Sequence, residues 1–201
     1  MHPTVRDTIA IMPAFVRWFV PGGTYFFTVV TERRAPLFAD ARWRTLLGDV
    51  MRQVCTETPF VTVASVLLPD HLHTVWALPP EDDDFPRRWK EIKSRFTECF
   101  LDAGGTEQPR SASRLSRGAR GVWQRRFWEH LVRDEDDLGR HIEYIHFNPV
   151  KHRLVRCPHE WPHSSFHRWV ARGDLAADWC CVCDGRNPAA PTFDWTPDGL
   201  E

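Results

Sequence analysis

The chain has 201 residues, 42% of them hydrophobic and 26% charged, with a formal net charge of −1. This is the balance of a globular protein with room for one real core. It excludes a membrane-spanning chain, since no apolar run approaches the roughly 18–20 residues of a span. Pro13, Arg17, Pro21 and Gly22 interrupt any secretory leader pattern, so a cytoplasmic location is expected, with all six cysteines as free thiols.

Residues 1–21 read as an irregular arm. Gly22-Gly23 opens the run Thr24-Tyr25-Phe26-Phe27-Thr28-Val29-Val30-Thr31, β-branched and aromatic, which predicts a strand buried on both faces. Asp40 caps a predicted helix over 41–57, with Trp43, Leu46, Leu47, Val50 and Val54 on one stripe. Strands follow over 60–68 and 71–78, with Pro69-Asp70 between them as a tight turn or a bulge. A helix over 86–102 turns Trp89, Ile92, Phe96, Cys99 and Phe100 inward. Residues 103–120 read as a mobile Gly/Ser/Arg-rich loop. A fourth strand is expected near 121–128, then a helix over 134–147 with an acidic first turn, stopped by Asn148-Pro149. The order β-α-β-β-α-β-α gives an α+β fold: a ferredoxin-like split βαβ antiparallel sheet with helices on one face, a third helix bearing Tyr144, and an irregular C-terminal tail. The domain is expected over 1–155, with 156–201 packing on or near it.

Charge is segregated along the chain. Residues 1–85 carry net −3, residues 86–156 net +6 and residues 157–201 net −4. Seven arginines fall within 110–133, against the single acid Glu129. Arginine forks suit phosphate, and a basic segment in a near-neutral protein fits a polyanion site on one face.

Two histidines end the third strand's opening, Pro69-Asp70-His71-Leu72-His73. On a strand, His71 and His73 share one face and Leu72 turns to the other. They make half of a divalent-metal site. Tyr144 and Asn148 share a helix face at i, i+4, so Asn148 offers an amide oxygen as third ligand if that helix crosses the sheet nearby. Two imidazoles and an oxygen suit Mg²⁺, Mn²⁺ or Zn²⁺. Asp70 either orients a ligand histidine or forms the turn. Tyr25 is a rival nucleophile, with a core role favoured. The cysteines and histidines of the tail lack the paired spacing of a zinc motif.

Four segments together resemble the HUH single-tyrosine transposases, and within them the REP-associated subgroup: Gly22–Thr28, Pro69–His73, Trp123–His130 and Tyr144–Val155. Trp161-Pro162-His163-Ser164-Ser165-Phe166 adds to the likeness, which spans roughly residues 20–170. The resemblance implies a strand transferase and endonuclease for single-stranded DNA. Tyr144 would attack a phosphate polarised by Mg²⁺ or Mn²⁺ on His71, His73 and Asn148, and form a 5′-phosphotyrosine. It implies hairpin-forming repetitive extragenic palindromes as partners, held by Arg114, Arg117, Arg120, Arg125 and Arg126, with Tyr25 near the hairpin's foot. It further implies no membrane, a location at the bacterial nucleoid, and a monomer in preference to a dimer. The alternatives are a non-catalytic DNA-binding regulator of the same fold and a His-x-His metal-dependent phosphoesterase.

Overall fold

The computed structural model describes residues 17–183 and residue 191. Most of the expected arm, residues 1–16, lies outside them, as does nearly all of the tail beyond residue 183. Four strands, β1 (Thr24–Val30), β2 (Val61–Leu67), β3 (His71–Ala77) and β4 (Trp128–Leu131), form one sheet of order β2-β3-β1-β4. All neighbours are antiparallel. Five helices complete the described fold: α1 (Ala41–Glu57), α2 (Phe85–Asp102), α3 (Ala112–Ser116), α4 (Glu135–Lys151) and α5 (Phe166–Arg172). This is the ferredoxin-like topology, with α3, α4 and α5 added to the two helices α1 and α2.

Side-chain alternation on the central strands sorts the core into two layers. Tyr25, Phe27 and Val29 of β1, with Leu72 and Trp76 of β3, face α1 and α2 and meet Val50, Trp89, Ile92 and Phe96. Phe26 and Val75 face the other way and meet Ile142, Tyr144 and Ile145 of α4. Apolar residues on both faces explain why β1 and β3 read as continuous hydrophobic runs. Helix starts follow the capping rule: Asp40, Asp84 and Asp134 accept hydrogen bonds from the backbone N–H groups of Arg42, Arg87 and Asp137.

Four expectations change. The fourth strand begins at Trp128, not 121. Residues 121–124 form no strand: they make a bridge from Trp123 to Thr31, a bond from Gln124 N–H to Val30 O and one from Glu32 N–H to Val122 O. Exposed Arg125 and Arg126 leave the sheet before the chain pairs with Tyr25–Thr28. Helix α4 runs on through Pro149 to Lys151. A proline forfeits one backbone bond, and here the last turn still closes through His152 N–H to Asn148 O at 3.0 Å. Residues 103–120 carry the short helix α3 and are tied to the rest of the fold, where a loop was expected. Glu107 accepts from Gly121 N–H and from Arg120, and Arg114 pairs with Glu32 and donates to the Trp123 carbonyl. Finally, the tail folds back far enough to join Cys157 and Cys181 in a disulfide, with their Cα atoms 4.3 Å apart, so these two are not free thiols.

The tail also closes the β2 side of the sheet. Ser164 bridges Val66, Leu67 N–H donates to His163 O, and Ser165 N–H donates to Ser65 O.

Phe27 packs at the centre of the α1/α2 layer, against Trp76, Phe85, Trp89 and Phe127. Phe27→Ala is expected to lower unfolding free energy by about 3–5 kcal/mol, read as a lower urea midpoint at unchanged slope. A loss below about 1 kcal/mol would mean that this layer does not behave as a close-packed core.

Candidate active site

The site forms where β3 meets α4. His71 and His73 project to the α4 side, and Leu72 projects into the other layer. Their rings lie edge to face with centroids 4.7 Å apart, and both are buried. Each ring is held through Nδ1. Asp70 Oδ1 lies 2.6 Å from His71 Nδ1, and Thr28 Oγ1, on the facing position of β1, lies 2.8 Å from His73 Nδ1. Asp70 also receives Arg34 Nη1 at 2.8 Å. Burial pushes the Asp70 carboxyl up, but His71 and Arg34 outweigh it and hold the carboxyl down at about 2. Asp70 forms the turn as well. Leu68 N–H bonds His71 O across it at 2.8 Å, so Asp70 both holds the His71 ring and forms the turn.

Helix α4 supplies a stripe at i, i+4, i+7 and i+8: Tyr144, Asn148, Lys151 and, as cap, His152. The Tyr144 ring lies 5.1 Å from that of His73 and 5.9 Å from Phe26. Lys151 Nζ lies 4.9 Å from the centre of the Tyr144 ring. His152 meets His71 with ring centroids 5.3 Å apart. Burial, then the nearby His71 and Lys151, lower His152 to about 4. Burial and the charges of His71, His152, Lys151 and Arg34 keep His73 well below the ordinary histidine range. The sequence reading missed Lys151 and His152 because it ended the helix at Asn148-Pro149. Continuing the helical spacing past the proline places both beside Tyr144.

The donor set suits a divalent cation. Imidazoles anchored through Nδ1 turn Nε2 inward, the arrangement that metal-bound histidines adopt with a carboxylate behind them. His71 Nε2, and both the amide nitrogen and oxygen of Asn148, are buried with no hydrogen-bond partner among the described residues. Buried polar atoms without a protein partner are met by water or by a ligand.

Other candidates fall elsewhere. Tyr25 is fully buried on the opposite face of the sheet. Its hydroxyl accepts from Val20 N–H at 2.7 Å and donates to Trp18 O at 3.1 Å. It is therefore not near the histidines, and it lines a cavity of about 370 Å³ with Arg17, Trp18, Glu129 and Leu131. Arg114 is spent inside the protein on Glu32 and the carbonyls of Arg120 and Trp123. Arg120 lies 2.9 Å from Glu107, and Arg117 is exposed. Arg125 and Arg126 border a cleft of about 760 Å³ with Arg17, Lys90, Lys93, Trp89 and Phe127, and without an acidic residue in its lining. Burial lowers Lys93 to about 8, and neighbouring Arg114 adds to the effect. This cleft lies on the α2 side of the sheet, not the Tyr144 side.

A second group of potential ligands, His130, Asp137 and His141, brings donor atoms within 4.8 Å of one another. Asp137 lies 2.8 Å from His130 and 3.2 Å from Arg133, so the group ties β4 to the start of α4. In the tail, Cys157, His159 and Cys181 are neighbours, but the disulfide consumes both thiols.

No family model matches the chain. It is 39% identical over 168 residues to the REP-associated tyrosine transposase of Escherichia coli K12, spanning 84% of this chain and 91% of that protein. A Haemophilus influenzae relative under the same family description is 38% identical over 182 residues, 88% of this chain and 96% of its own length. Among solved structures, a REP-associated tyrosine transposase bound to a REP hairpin superimposes with a TM-score of 0.69 at 37% identity, covering 92% of this chain and all of that one.

The buried histidines of α4 give stability a pH dependence of definite sign. Burial lowers His146 to about 3 and His141 to about 4. In the unfolded chain both protonate near 6.5. Below that pH, down to about 4, the unfolded state binds more protons, so stability falls as pH falls. One such group accounts for about 2 kcal/mol between neutrality and about pH 5. His146→Gln, which leaves a polar partner for Ser165 Oγ, is expected to flatten the pH slope of urea unfolding by about one histidine's share. An unchanged slope would remove His146 from the account.

Proposed function

Since the chain belongs to the REP-associated tyrosine transposases, we propose that it cuts and rejoins single-stranded DNA at hairpin-forming repeats, with Tyr144 as nucleophile. The observation that carries this reading is the placement of Tyr144 against His73, ring to ring at 5.1 Å, on the helix face that also presents Asn148.

The Tyr144 hydroxyl attacks the scissile phosphorus in line with the bond to the 3′-oxygen. That bond breaks, the phosphate stays on the tyrosine as a 5′-phosphotyrosine, and the 3′-oxygen leaves as a hydroxyl. A 3′-hydroxyl from the same or another strand then attacks the linkage and frees the tyrosine. One phosphodiester replaces another, so no nucleotide cofactor is consumed. His71, His73 and Asn148 would hold Mg²⁺ or Mn²⁺, which would supply polarisation of the phosphate. The protein's own groups do the rest. Asp70 and Thr28 fix the two imidazoles, and Arg34 keeps Asp70 ionised. The Lys151 ammonium beside the phenol ring stabilises negative charge as the hydroxyl gives up its proton. Neutral imidazoles are required as ligands, and burial of His73 meets that requirement.

Hairpin backbone is held by the cationic cleft, with Arg125, Arg126, Lys90, Lys93 and Arg17 as phosphate partners. Such contacts give affinity and salt dependence but little choice of sequence. The site works in a non-membrane protein bound at the nucleoid, as a monomer.

The test is a labelled single-stranded hairpin oligonucleotide with Mg²⁺ or Mn²⁺. A covalent protein–DNA adduct stable to denaturant is expected with the natural chain. None is expected with Tyr144→Phe, or after chelation of the metal. Cleavage that survives Tyr144→Phe would point to activated water and a phosphoesterase. Binding without cleavage would make the protein a regulator.

A further inference from the structure

A cluster of sulfur and imidazole groups that the proposed chemistry does not use forms where the tail folds back on the chain after α4. Cys157 opens a short 3-10 turn, Pro158–Glu160, that carries His159. Cys181 and Cys183 lie on the chain's return past α5. Ligand atoms of Cys157, His159 and Cys181 are all within 4.8 Å of one another, and Cys183 Sγ lies 2.7 Å from Cys181 Sγ. In the sequence these groups are two short pairs, Cys157-Pro158-His159 and Cys181-Val182-Cys183. Only the fold brings the pairs together.

The two pairs are set against each other by hydrogen bonds. Val182 N–H donates to Arg156 O at 3.4 Å, and Arg156 Nη2 donates to the carbonyls of Val182 and Cys183 at 3.4 and 3.3 Å. Glu160 accepts from the N–H groups of Arg156 and Cys157 and holds the turn. Apolar packing gives this end little, since among residues 171–180 only 175, 179 and 180 are even half-buried. A segment with so small a core is fixed by a cross-link or a metal. The Cys157–Cys181 disulfide is one such tie. It leaves His159 and Cys183, both exposed, beside it with no part in the cross-link.

We propose that the reduced form of this cluster binds a Zn²⁺ ion through Cys157, His159, Cys181 and Cys183. A dithiol supplies the two electrons and two protons that split the disulfide, becomes a disulfide itself and leaves Cys157 and Cys181 as thiols. The three thiols release their protons as the ion binds, and His159 binds as neutral imidazole. Three thiolates and an imidazole are a tetrahedral set of soft donors, which selects zinc over Mg²⁺ or Mn²⁺. Protein groups take every position, so the ion is structural and offers no place to a substrate. The site is left with one negative charge, which the Arg156 guanidinium beside Cys183 offsets. None of the four residues enters the DNA chemistry, so this proposal stands independently of it.

The experiment reduces the full chain with a dithiol, desalts it without oxygen and titrates it with Co²⁺. Thiolate ligands give bound cobalt an intense sulfur-to-metal charge-transfer band, and tetrahedral geometry gives strong visible bands. His71, His73 and Asn148 include no sulfur and cannot produce the first. Both signals are expected after reduction and the charge-transfer band is expected to be missing while the disulfide is intact. Zn²⁺ is expected to displace the cobalt at about one ion per chain. Cys183→Ser and His159→Ala are each expected to weaken Zn²⁺ by more than about a hundredfold in competition with a chromophoric chelator, beyond what loss of an outer hydrogen-bond partner costs. Circular dichroism matching the natural chain shows each variant folded. Cys99→Ser, at an exposed cysteine of α2, is expected to change nothing. A reduced natural chain without the charge-transfer band overturns the proposal before any variant is made. So does zinc binding that survives both ligand variants or that Cys99→Ser abolishes, and so does a disulfide that the dithiol does not open.

Discussion

The pairing of β1 with β3 sets Thr28 across from His73 and Val30 across from His71, and a slip of one residue would turn every side chain of β3 to the other face. The imidazoles would then enter the aromatic layer of Phe27, Phe85 and Trp89, and Leu72 would take their place under α4. The Pro69-Asp70 turn holds the register. Thr31 donates to the Asp70 carbonyl from both its N–H and its hydroxyl, each at 2.9 Å. Asp70 thus locks the strand alignment with its backbone and orients His71 with its carboxylate. Geometry of the site and register of the sheet are one constraint.

The sheet then separates two chemistries. The α4 side holds imidazoles, an amide and a phenol, packed between β3 and α4. The α2 side holds cations around an open cleft. The acidic first turn of α4, Glu135, Asp136 and Asp137, suits the positive end of that helix. It also keeps negative charge at the end of α4 away from Lys151.

Elements defined by local pattern were legible in the chain. β1, α1, β2, β3 and α2 lie within a residue or two of their expected limits, because apolar runs, capping aspartates and prolines all agree there. His71, His73, Tyr144 and Asn148 were legible as candidates because strand and helix periods put them in pairs. What failed depends on distant contacts. Trp123 carries the signature of a strand residue, but only Trp128–Leu131 find a continuous partner on β1. Pro149 carries the signature of a stop, yet burial and the His152–Asn148 bond continue the turn. The Cys157–Cys181 pair follows from a fold-back of the tail that no spacing rule announces. The arginine run looked uniform in the sequence, whereas Arg114 is an internal strut and Arg125 and Arg126 face the cleft.

The tail segment along β2 has a consequence for how copies of this protein meet. An uncovered outer strand presents a row of backbone groups on which another chain can continue the sheet. Here Ser165 N–H and the Leu67–His163 bond occupy those groups, and the indole of Trp161 donates to the Leu67 carbonyl at 3.0 Å. Edge-to-edge polymerisation through β2 is blocked by the protein's own chain, and shortening that segment would expose a template for aggregation.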